Sequence, residues 1–278
     1  MLKQQKLYLL FNRKLARFFT FLCLFYLSLI DVFADEKHVY AAIVIDDIGD
    51  NLYRGERALQ LQGAVTFSIL PHTPYAKKLA LAAHQSGKEV MLHMPMQPEG
   101  NKNMGPGGLT HFMNKSRFLN AVKSNLQAIP HVAGINNHMG SLLTQKTQQM
   151  HWVMQSLRAM GDYYFVDSMT HQKSIAHKVA ADSLIPNTSR DVFLDHEISL
   201  FAIDEQFSLF ITKVKQNGFA LAIGHPHNET LMALEYWIPE MVKQGIELVP
   251  VSQYIQLKDQ RNFQWQASLS HSRKAAKN

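Results

Sequence analysis

The sequence contains very little cysteine and little charge. Its single cysteine, Cys23, lies in an apolar run near the N-terminus, and only 18% of its 278 residues are charged. Beyond that run there is no thiol to form a disulfide or attack a substrate, so any metal must be held by His and carboxylate side chains. The sequence also lacks internal repeats and a linker to a second domain. With 46% hydrophobic residues, the composition excludes a disordered or collagen-like chain.

Nucleotide-binding loops are missing as well, since no predicted strand is followed by a G-x-G-x-x-G or Walker-type segment. The net charge of +6 would suit a nucleic-acid partner, but much of it is concentrated near the N-terminus. Removal of residues 1–34 takes away five basic side chains and Asp31, which leaves a net charge of +2. We therefore expect neither a nucleotide nor a nucleic acid as partner. The five basic residues are Lys3, Lys6, Arg13, Lys14 and Arg17.

Residues 1–34 have the layout of a secretory signal peptide. A basic region is followed by the apolar run 18–30, which is too short to cross a bilayer comfortably as a helix. Val32 and Ala34 are small residues of the kind that signal peptidase accepts, so we expect cleavage after Ala34. The mature protein would then be periplasmic or extracellular, without a stable membrane span. An uncleaved membrane anchor is the alternative, because residues 7–11 add apolar length.

From Val39 onward, short apolar segments alternate with longer helical stretches, a pattern that predicts a parallel sheet covered by helices. Roughly eight such units over about 220 residues fit an α/β fold of the β/α-barrel type, distorted or incomplete, better than an open doubly wound sheet. We assign residues 35–257 to this barrel and residues 258–278 to a flexible polar tail. The predicted strands are 39–45, 64–70, 89–92, 132–135, 163–166, 192–194, 220–223 and 247–249.

The longest predicted loop spans residues 94–115. It contains Gly105-Pro106-Gly107-Gly108, which is too rich in glycine and proline for regular structure. Loops of this length inside a compact domain are usually functional, so we expect this one to contribute to a site.

Polar side chains follow the predicted strands at the point where each strand ends. Parallel α/β proteins bind their ligands at the carboxyl ends of the strands, so these side chains are the candidates for a common site. They are Asp46 and Asp47 after the first strand, His93 after the third, Asn136, Asn137 and His138 after the fourth, Asp167 after the fifth, Arg190, Asp191 and Asp195 around the sixth, and His225 and His227 after the seventh.

Asp46 and Asp47 would point to opposite sides of an extended chain unless the strand ends there and turns. Two adjacent carboxylates behind a buried strand need compensation, and a metal ion would provide it. The alternative is that one of them caps the next helix, but Asp50 and Asn51 lie closer to that helix. The pair is therefore interpreted as functional.

His93 and His138 each end an apolar run, where a single histidine is more often a hydrogen-bonded core residue. Two histidines and a carboxylate that converge at one rim would instead form a facial site for Zn²⁺ or a similar ion, with positions open to water. His225 lies between Gly224 and Pro226, in a turn that a substrate can approach closely. It either acts in the site or fixes its loop through a backbone hydrogen bond, and His227 could act in its place.

Together these residues resemble the divergent polysaccharide deacetylase family, a branch of the NodB-type polysaccharide deacetylase superfamily of distorted β/α barrels. Seven segments match, in order, over nearly the whole mature chain. They are AAIVIDDIGDN (41–51), VTFSILPHTPYA (65–76), EVMLHMPMQP (89–98), GINNHMGSLLT (134–144), FVDSMT (165–170), RDVFLD (190–195) and AIGHPH (222–227).

The resemblance implies a metal-dependent hydrolase that removes N- or O-acetyl groups from an envelope glycan. By similarity, three residues would hold a divalent ion, expected to be zinc, while Asp46 acts as general base and His225 as general acid. Asp167 or Asp191 would orient a histidine from behind. The three implied ligands are Asp47, His93 and His138, and the residues expected around the site or against substrate are Asn137, Asp167, Arg190, Asp191 and His227.

The sequence departs from the superfamily pattern at two places. Typical members carry two metal histidines four residues apart after the third strand, but the position four after His93 is Gln97. His138 is assigned as the second histidine on its position alone. The usual Arg-containing motif after the fourth strand is replaced by Asn136 and Asn137. A non-catalytic protein that binds glycan or an envelope partner through the same cleft is therefore the alternative function.

Overall fold

The structure is a computed structural model that describes residues 38–275, with side chains described as far as residue 265. The predicted signal peptide and Cys23 lie outside these residues. No helix in the described range is both long and apolar enough to cross a membrane.

Nine strands and eight α-helices alternate along the described chain, except that β6 is followed directly by β7, and a short 3-10 helix spans Leu143–Gln145. The strands are β1 (Val39–Ile48), β2 (Thr66–Ile69), β3 (Glu89–Met96), β4 (Val132–Met139), β5 (Tyr164–Asp167), β6 (Asn187–Ser189), β7 (Val192–Phe193), β8 (Phe219–Gly224) and β9 (Ile246–Leu248). The helices are α1 (Leu52–Leu59), α2 (Ala76–Gln85), α3 (Lys115–Ala128), α4 (Thr147–Met160), α5 (Ala176–Asp182), α6 (Leu200–Asn217), α7 (Asn228–Lys243) and α8 (Val251–Ala275).

All the strands pair in parallel, in the order β6-β5-β4-β3-β2-β1-β8-β7, with β9 beside the first residues of β1. The outermost strands of this order, β6 and β7, are joined by only Arg190 and Asp191. The Arg190 N–H donates to the Asp167 carbonyl of β5, and the Asp191 N–H donates to the Leu221 carbonyl of β8. Consecutive residues thus bond to strands near the two ends of the sheet order, which curves the sheet into a distorted, incomplete β/α barrel of the type that the sequence predicted.

Two apolar cores lie on the two faces of the barrel wall. Ala41, Ile43 and Ile45 of β1 belong to the large core that packs against the helices. Ala42 and Val44 belong to a second core that fills the barrel interior, with residues of β3, β5, β8 and α8. Because side chains alternate along a strand, β1, β3, β5 and β8 each supply both cores. The near-continuous apolar segments of the sequence have this cause.

Strand β6 and the end of the chain differ from the sequence-based expectations. The strand at Asn187–Ser189 was not predicted, because it is polar and only three residues long. Residues 258–275, expected as a flexible polar tail, continue helix α8 to Ala275. The first turns of α8 are stabilised by burial of Tyr254 and Ile255 in the interior core. The rest of the helix has a polar sequence without an apolar face, so it was not predicted from the sequence.

Glu89 ties the amino end of the barrel to α8. Its carboxylate accepts hydrogen bonds from the Tyr164 hydroxyl (2.8 Å) and the Thr66 hydroxyl (3.1 Å). It also accepts from the Ser252 N–H in the first turn of α8 (3.2 Å), where the helix dipole favours a negative charge. Burial, together with the charge and hydrogen bond of Glu89, raises the pKa of Tyr164 well above its usual range.

We expect Glu89→Ala to lower the free energy of unfolding by about 2–4 kcal/mol, because each buried donor left without a partner costs about 1–3 kcal/mol. Urea unfolding followed by circular dichroism measures this loss. Glu56→Ala is the control, since Glu56 forms an exposed ion pair with Lys78 (2.8 Å), a type of contact that contributes about 0–1 kcal/mol. A loss at Glu89 no larger than at Glu56 would contradict the prediction.

Candidate active site

The candidate residues continue the inward-facing positions of the strands at the carboxyl end of the barrel. Asp46, His93 and His225 each lie two residues beyond an apolar side chain of the interior core, namely Val44, Met91 and Ile223 respectively. Asn136 and His138 face inward from β4. Ile135, next to Asn136, faces the other way, into the large core that packs against the helices. The alternation that buries apolar side chains inside the barrel therefore brings polar side chains together at its mouth.

Asp47 joins the same site through a break in β1. The register of β1 against β2 shifts between Ile45 and Ile48, and Asp47 has a left-handed backbone with φ of 56°. This turn brings the Asp47 carboxylate toward the interior beside Asp46, instead of to the opposite side of the strand. Asn51, not either aspartate, caps α1 by accepting from the Arg54 N–H (3.0 Å).

Asp47, His93 and His138 converge on one point. Asp47 Oδ1 lies 3.1 Å from His93 Nε2 and 2.9 Å from His138 Nδ1, and the two ring nitrogens are 3.1 Å apart. Burial by itself raises the pKa of Asp47, but contacts with His138 and His93 outweigh it and hold that pKa well below its usual range. Asp47 is therefore ionised at neutral pH.

These three residues fit a divalent cation. Asp47 Oδ1 is buried and has no hydrogen-bond partner, even though two ring nitrogens lie within 3.1 Å of it. When both imidazoles present lone pairs to Asp47 Oδ1, the three ligand atoms repel one another unless a cation lies between them. One carboxylate oxygen and two imidazole nitrogens form a common ligand set for zinc and related ions.

Asn136 links this cluster to Asp46. Its Nδ2 donates to Asp46 Oδ1 (2.7 Å), while its Oδ1 lies 2.6 Å from His93 Nδ1 and accepts from the Ser68 hydroxyl (2.7 Å). The four side chains are almost completely buried. Asn136 is one of the polar residues after the fourth predicted strand, but it was not predicted to be a site residue. Its position on the same side of β4 as His138, two residues earlier, was the available signal.

His225 faces the cluster from β8 and is held by Asp195. His225 Nδ1 lies 3.0 Å from Asp195 Oδ1, and His225 Nε2 lies 3.8 Å from Asp47 Oδ2. Burial lowers the pKa of His225, but the hydrogen bond and charge of Asp195 dominate and raise it to about 9. The Nε2 atom of the charged His225 ring is therefore directed toward Asp47 in the site. Asp195 was noted in the sequence beside the sixth strand but was not among the selected site residues.

Asp195, His225 and His227 form a second group of potential ligands. Both oxygens of Asp195 already accept hydrogen bonds, since Oδ2 binds the His225 N–H and the Thr230 hydroxyl (2.8 Å). The carboxylate therefore serves to position His225. The His227 ring centre is 5.9 Å from that of His225, at the N-terminus of α7.

Arg190 lies near Asp46 without an ion pair to it. Its guanidinium donates to the carbonyls of Ser168 (2.7 Å) and Met169 (2.9 Å) and stacks on Phe193 (4.8 Å to the ring centre). Burial lowers the pKa of Arg190 despite the opposing charges of Asp46, Asp167 and Asp191.

Three residues expected around the site instead bind the backbone. Asn137 donates to the Met139 carbonyl (2.7 Å) and accepts from the Ser168 N–H (2.9 Å). Asp167 accepts from the Met169 N–H and the Ser174 hydroxyl, so it orders the loop before α5 and orients neither His93, His138 nor His225. Asp191 accepts from the Leu221 N–H (2.8 Å), which holds the connection between β6 and β7 against β8. Asn137 lies inside β4, Asp167 is the last residue of β5 and Asp191 lies between β6 and β7, and the sequence alone does not show which way these side chains face.

The long loop after β3 forms one wall of a cavity of about 260 Å³ beside the cluster. Asp47, Asp50 and His138 line one side and Asn103–Pro106 the other. Gln97, at the position of the missing superfamily histidine, accepts from the His111 N–H (3.0 Å) and so anchors this loop. A larger cavity of about 590 Å³ lies beside the start of α8, at the amino end of the barrel and away from the cluster.

Residues 43–255 match the model of a family described as divergent polysaccharide deacetylase. The chain belongs to this family. It is 34% identical over 197 residues to the uncharacterized Escherichia coli K12 protein YibQ, a match that covers 71% of this chain but only 61% of YibQ. A Haemophilus influenzae protein is 32% identical over 194 residues, covering 70% of this chain and 69% of that one.

A solved structure supports the fold. The crystal structure of ATU2773 from Agrobacterium tumefaciens C58 matches with a TM-score of 0.75 at 22% identity, covering 80% of this chain and 91% of that one. At this identity the likeness shows the shared fold, which is the distorted barrel deduced above.

Proposed function

We propose that this protein is a metal-dependent hydrolase that removes acetyl groups from an envelope polysaccharide or a related glycan. The observation that carries the proposal is the buried Asp47 Oδ1, which has no hydrogen-bond partner and lies between His93 Nε2 and His138 Nδ1. Asp46 and His225 lie at the same end of the barrel. Membership in the divergent polysaccharide deacetylase family supports the substrate class.

Asp47, His93 and His138 would hold the ion, for which we propose zinc. Zinc bound by such a ligand set lowers the pKa of a water molecule toward neutrality and polarises a carbonyl group. The adjacent cavity of about 260 Å³ opens directly onto Asp47 and His138 and would receive the acetylated part of the glycan.

Asp46 and His225 would handle the protons. Asp46 is buried beside the cluster and takes a proton from the attacking water as it adds to the acetyl carbonyl. Asp195 accepts from Nδ1 and raises the pKa of His225 to about 9, so the charged ring also carries a proton on Nε2. His225 donates that proton as the bond to the sugar nitrogen or oxygen breaks. The products are acetate and a free amine or alcohol, so the reaction balances without a further reagent.

We also propose that the protein acts outside the cytoplasm, on the strength of the signal-peptide layout of residues 1–34. N-terminal sequencing of the protein recovered from the periplasm or medium tests this. The mature N-terminus is expected at Asp35, and retention of residues 1–34 in a membrane fraction would indicate the anchor instead.

The proposed activity is tested by incubating zinc-loaded protein with a panel of N- and O-acetylated glycan fragments and measuring acetate. Acetate release that stops on chelation and returns with zinc supports the hydrolase. If the fragments bind without any release of acetate, the protein is the glycan-binding alternative. Neither release nor binding would refute both functions.

A further inference from the structure

We propose that Asn136 is a positioning residue whose single amide group both orients the general base Asp46 and selects the ring tautomer of His93 that can bind an ion. The inference rests on the proposed function for the roles of Asp46 and His93. Asn136 is fully buried on β4 and contacts side chains from β1, β2 and β3 at once.

The Asp46 carboxylate decides which way the amide points. An ionised carboxylate only accepts hydrogen bonds, so the Asn136 atom 2.7 Å from Asp46 Oδ1 must be the NH₂ group. The amide oxygen then faces away from Asp46, where it accepts from the Ser68 hydroxyl at 2.7 Å. The contact with Asp46 thus fixes both ends of the amide independently of His93, and the Ser68 hydroxyl, which can donate or accept, donates to the oxygen end.

The amide oxygen in turn decides the tautomer of His93. Asn136 Oδ1 has no hydrogen to donate, so His93 Nδ1, 2.6 Å away, must carry one. In the neutral ring Nε2 then has a free lone pair, and Nε2 is the atom that faces Asp47 Oδ1 and His138 Nδ1. Asp46 Oδ1, 3.6 Å from His93 Nδ1, is too far to serve as the alternative acceptor.

Asn136 therefore stands behind the ligand in the way that outer partners of metal-binding histidines do, and loss of such partners typically costs 10–100-fold in metal affinity. Asn137 provides a matched comparison. It is the same residue type at the next position and is equally buried, but its amide binds the Met139 carbonyl and the Ser168 N–H.

The experiment compares Zn²⁺ affinity, measured by calorimetric titration against a competing chelator, in the parent and in three variants. We expect Asn136→Ala to bind Zn²⁺ at least about tenfold more weakly. Asn137→Ala is expected to lose thermal stability and to keep its Zn²⁺ affinity within about threefold, because its hydrogen bonds hold the backbone and not a ligand. Asn136→Asp separates the two roles. Its carboxylate can still accept from His93 Nδ1, whereas two carboxylates at the Asn136–Asp46 distance of 2.7 Å share one proton, which makes Asp46 a poorer base. This variant should bind Zn²⁺ no more weakly than the parent but release acetate at least about tenfold more slowly.

An Asn136→Ala affinity within about twofold of the parent would overturn the proposal, and so would an Asn136→Asp affinity as low as that of Asn136→Ala. If Asn136→Ala does not fold, Asn136→Asp and the parent decide the question. In the metal-free parent, at a pH where the ring is neutral, ¹H–¹⁵N correlation spectra should show His93 protonated on Nδ1. Protonation on Nε2 would overturn the inference. A parent that binds no Zn²⁺ refutes the proposed function, and the spectrum still tests the role of Asn136.

Discussion

Asp46→Asn should lower the rate of acetate release by about 10³-fold while leaving Zn²⁺ affinity within about threefold of the parent, since a positioned general base contributes 10²–10⁴-fold. The exchange preserves size but removes the group that takes the proton from water. Asp46 lies beside the three proposed ligands and is not one of them, with its Oδ1 occupied by Asn136. Steady-state kinetics on the best acetylated fragment, together with calorimetric titration of Zn²⁺, measure the two effects separately.

Asp182→Asn is the matched control for this variant. Asp182 is an exposed carboxylate at the end of α5, so the Asp182→Asn variant should release acetate at the rate of the parent. An Asp46→Asn rate within about tenfold of the parent would refute the assignment of Asp46 as general base, whatever ion is bound.

His138→Ala is expected to weaken Zn²⁺ binding by about 100-fold or more, because loss of an outer partner alone costs up to that amount and His138 is a direct ligand in the proposal. An ion at about 100 times its Kd stabilises a folded protein by about 2.7 kcal/mol. For a domain of this size that corresponds to a rise of roughly 5–10 °C in Tm. The parent should show this rise on addition of Zn²⁺, and His138→Ala at the same concentration should show less than about 2 °C.

His151→Ala controls for loss of a histidine as such. His151 is exposed on α4, so this variant should keep the full Zn²⁺-dependent rise in Tm. A comparable rise in His138→Ala would show that the ion binds elsewhere, and the ligand set proposed from the geometry would then be wrong.

The candidate site was predictable to the extent that it follows from strand ends. Asp46, Asp47, His93, His138 and His225 all follow apolar segments, and parallel strands carry their carboxyl ends to one rim. The structure brings these side chains together, with Asp47 Oδ1 within 3.1 Å of both His93 Nε2 and His138 Nδ1. The sequence also shows that Gln97 occupies the position where typical superfamily members have a histidine. It does not show that Gln97 anchors the loop by accepting from the His111 N–H.

Other features depended on which way a side chain faces. Asn137 and Asp167 are polar residues at strand ends like Asn136, yet their side chains bind the backbone of nearby loops. Asn136 and Asp195 have partners far away in the chain, since Asp46 is 90 positions from Asn136 and His225 is 30 positions from Asp195. No local pattern indicates such partners.

The amino-acid sequence by itself determined the alternation of strands and helices, the parallel barrel, and the end of the barrel where polar residues collect. These properties follow from local periodicity, which repeats within each segment. The tertiary structure alone decided which polar side chains point inward, because a single bulge and the left-handed backbone of Asp47 reverse the alternation of β1. It also decided that one buried amide joins Asp46 to His93, since hydrogen-bond partners are chosen by the packing of four strands against one another.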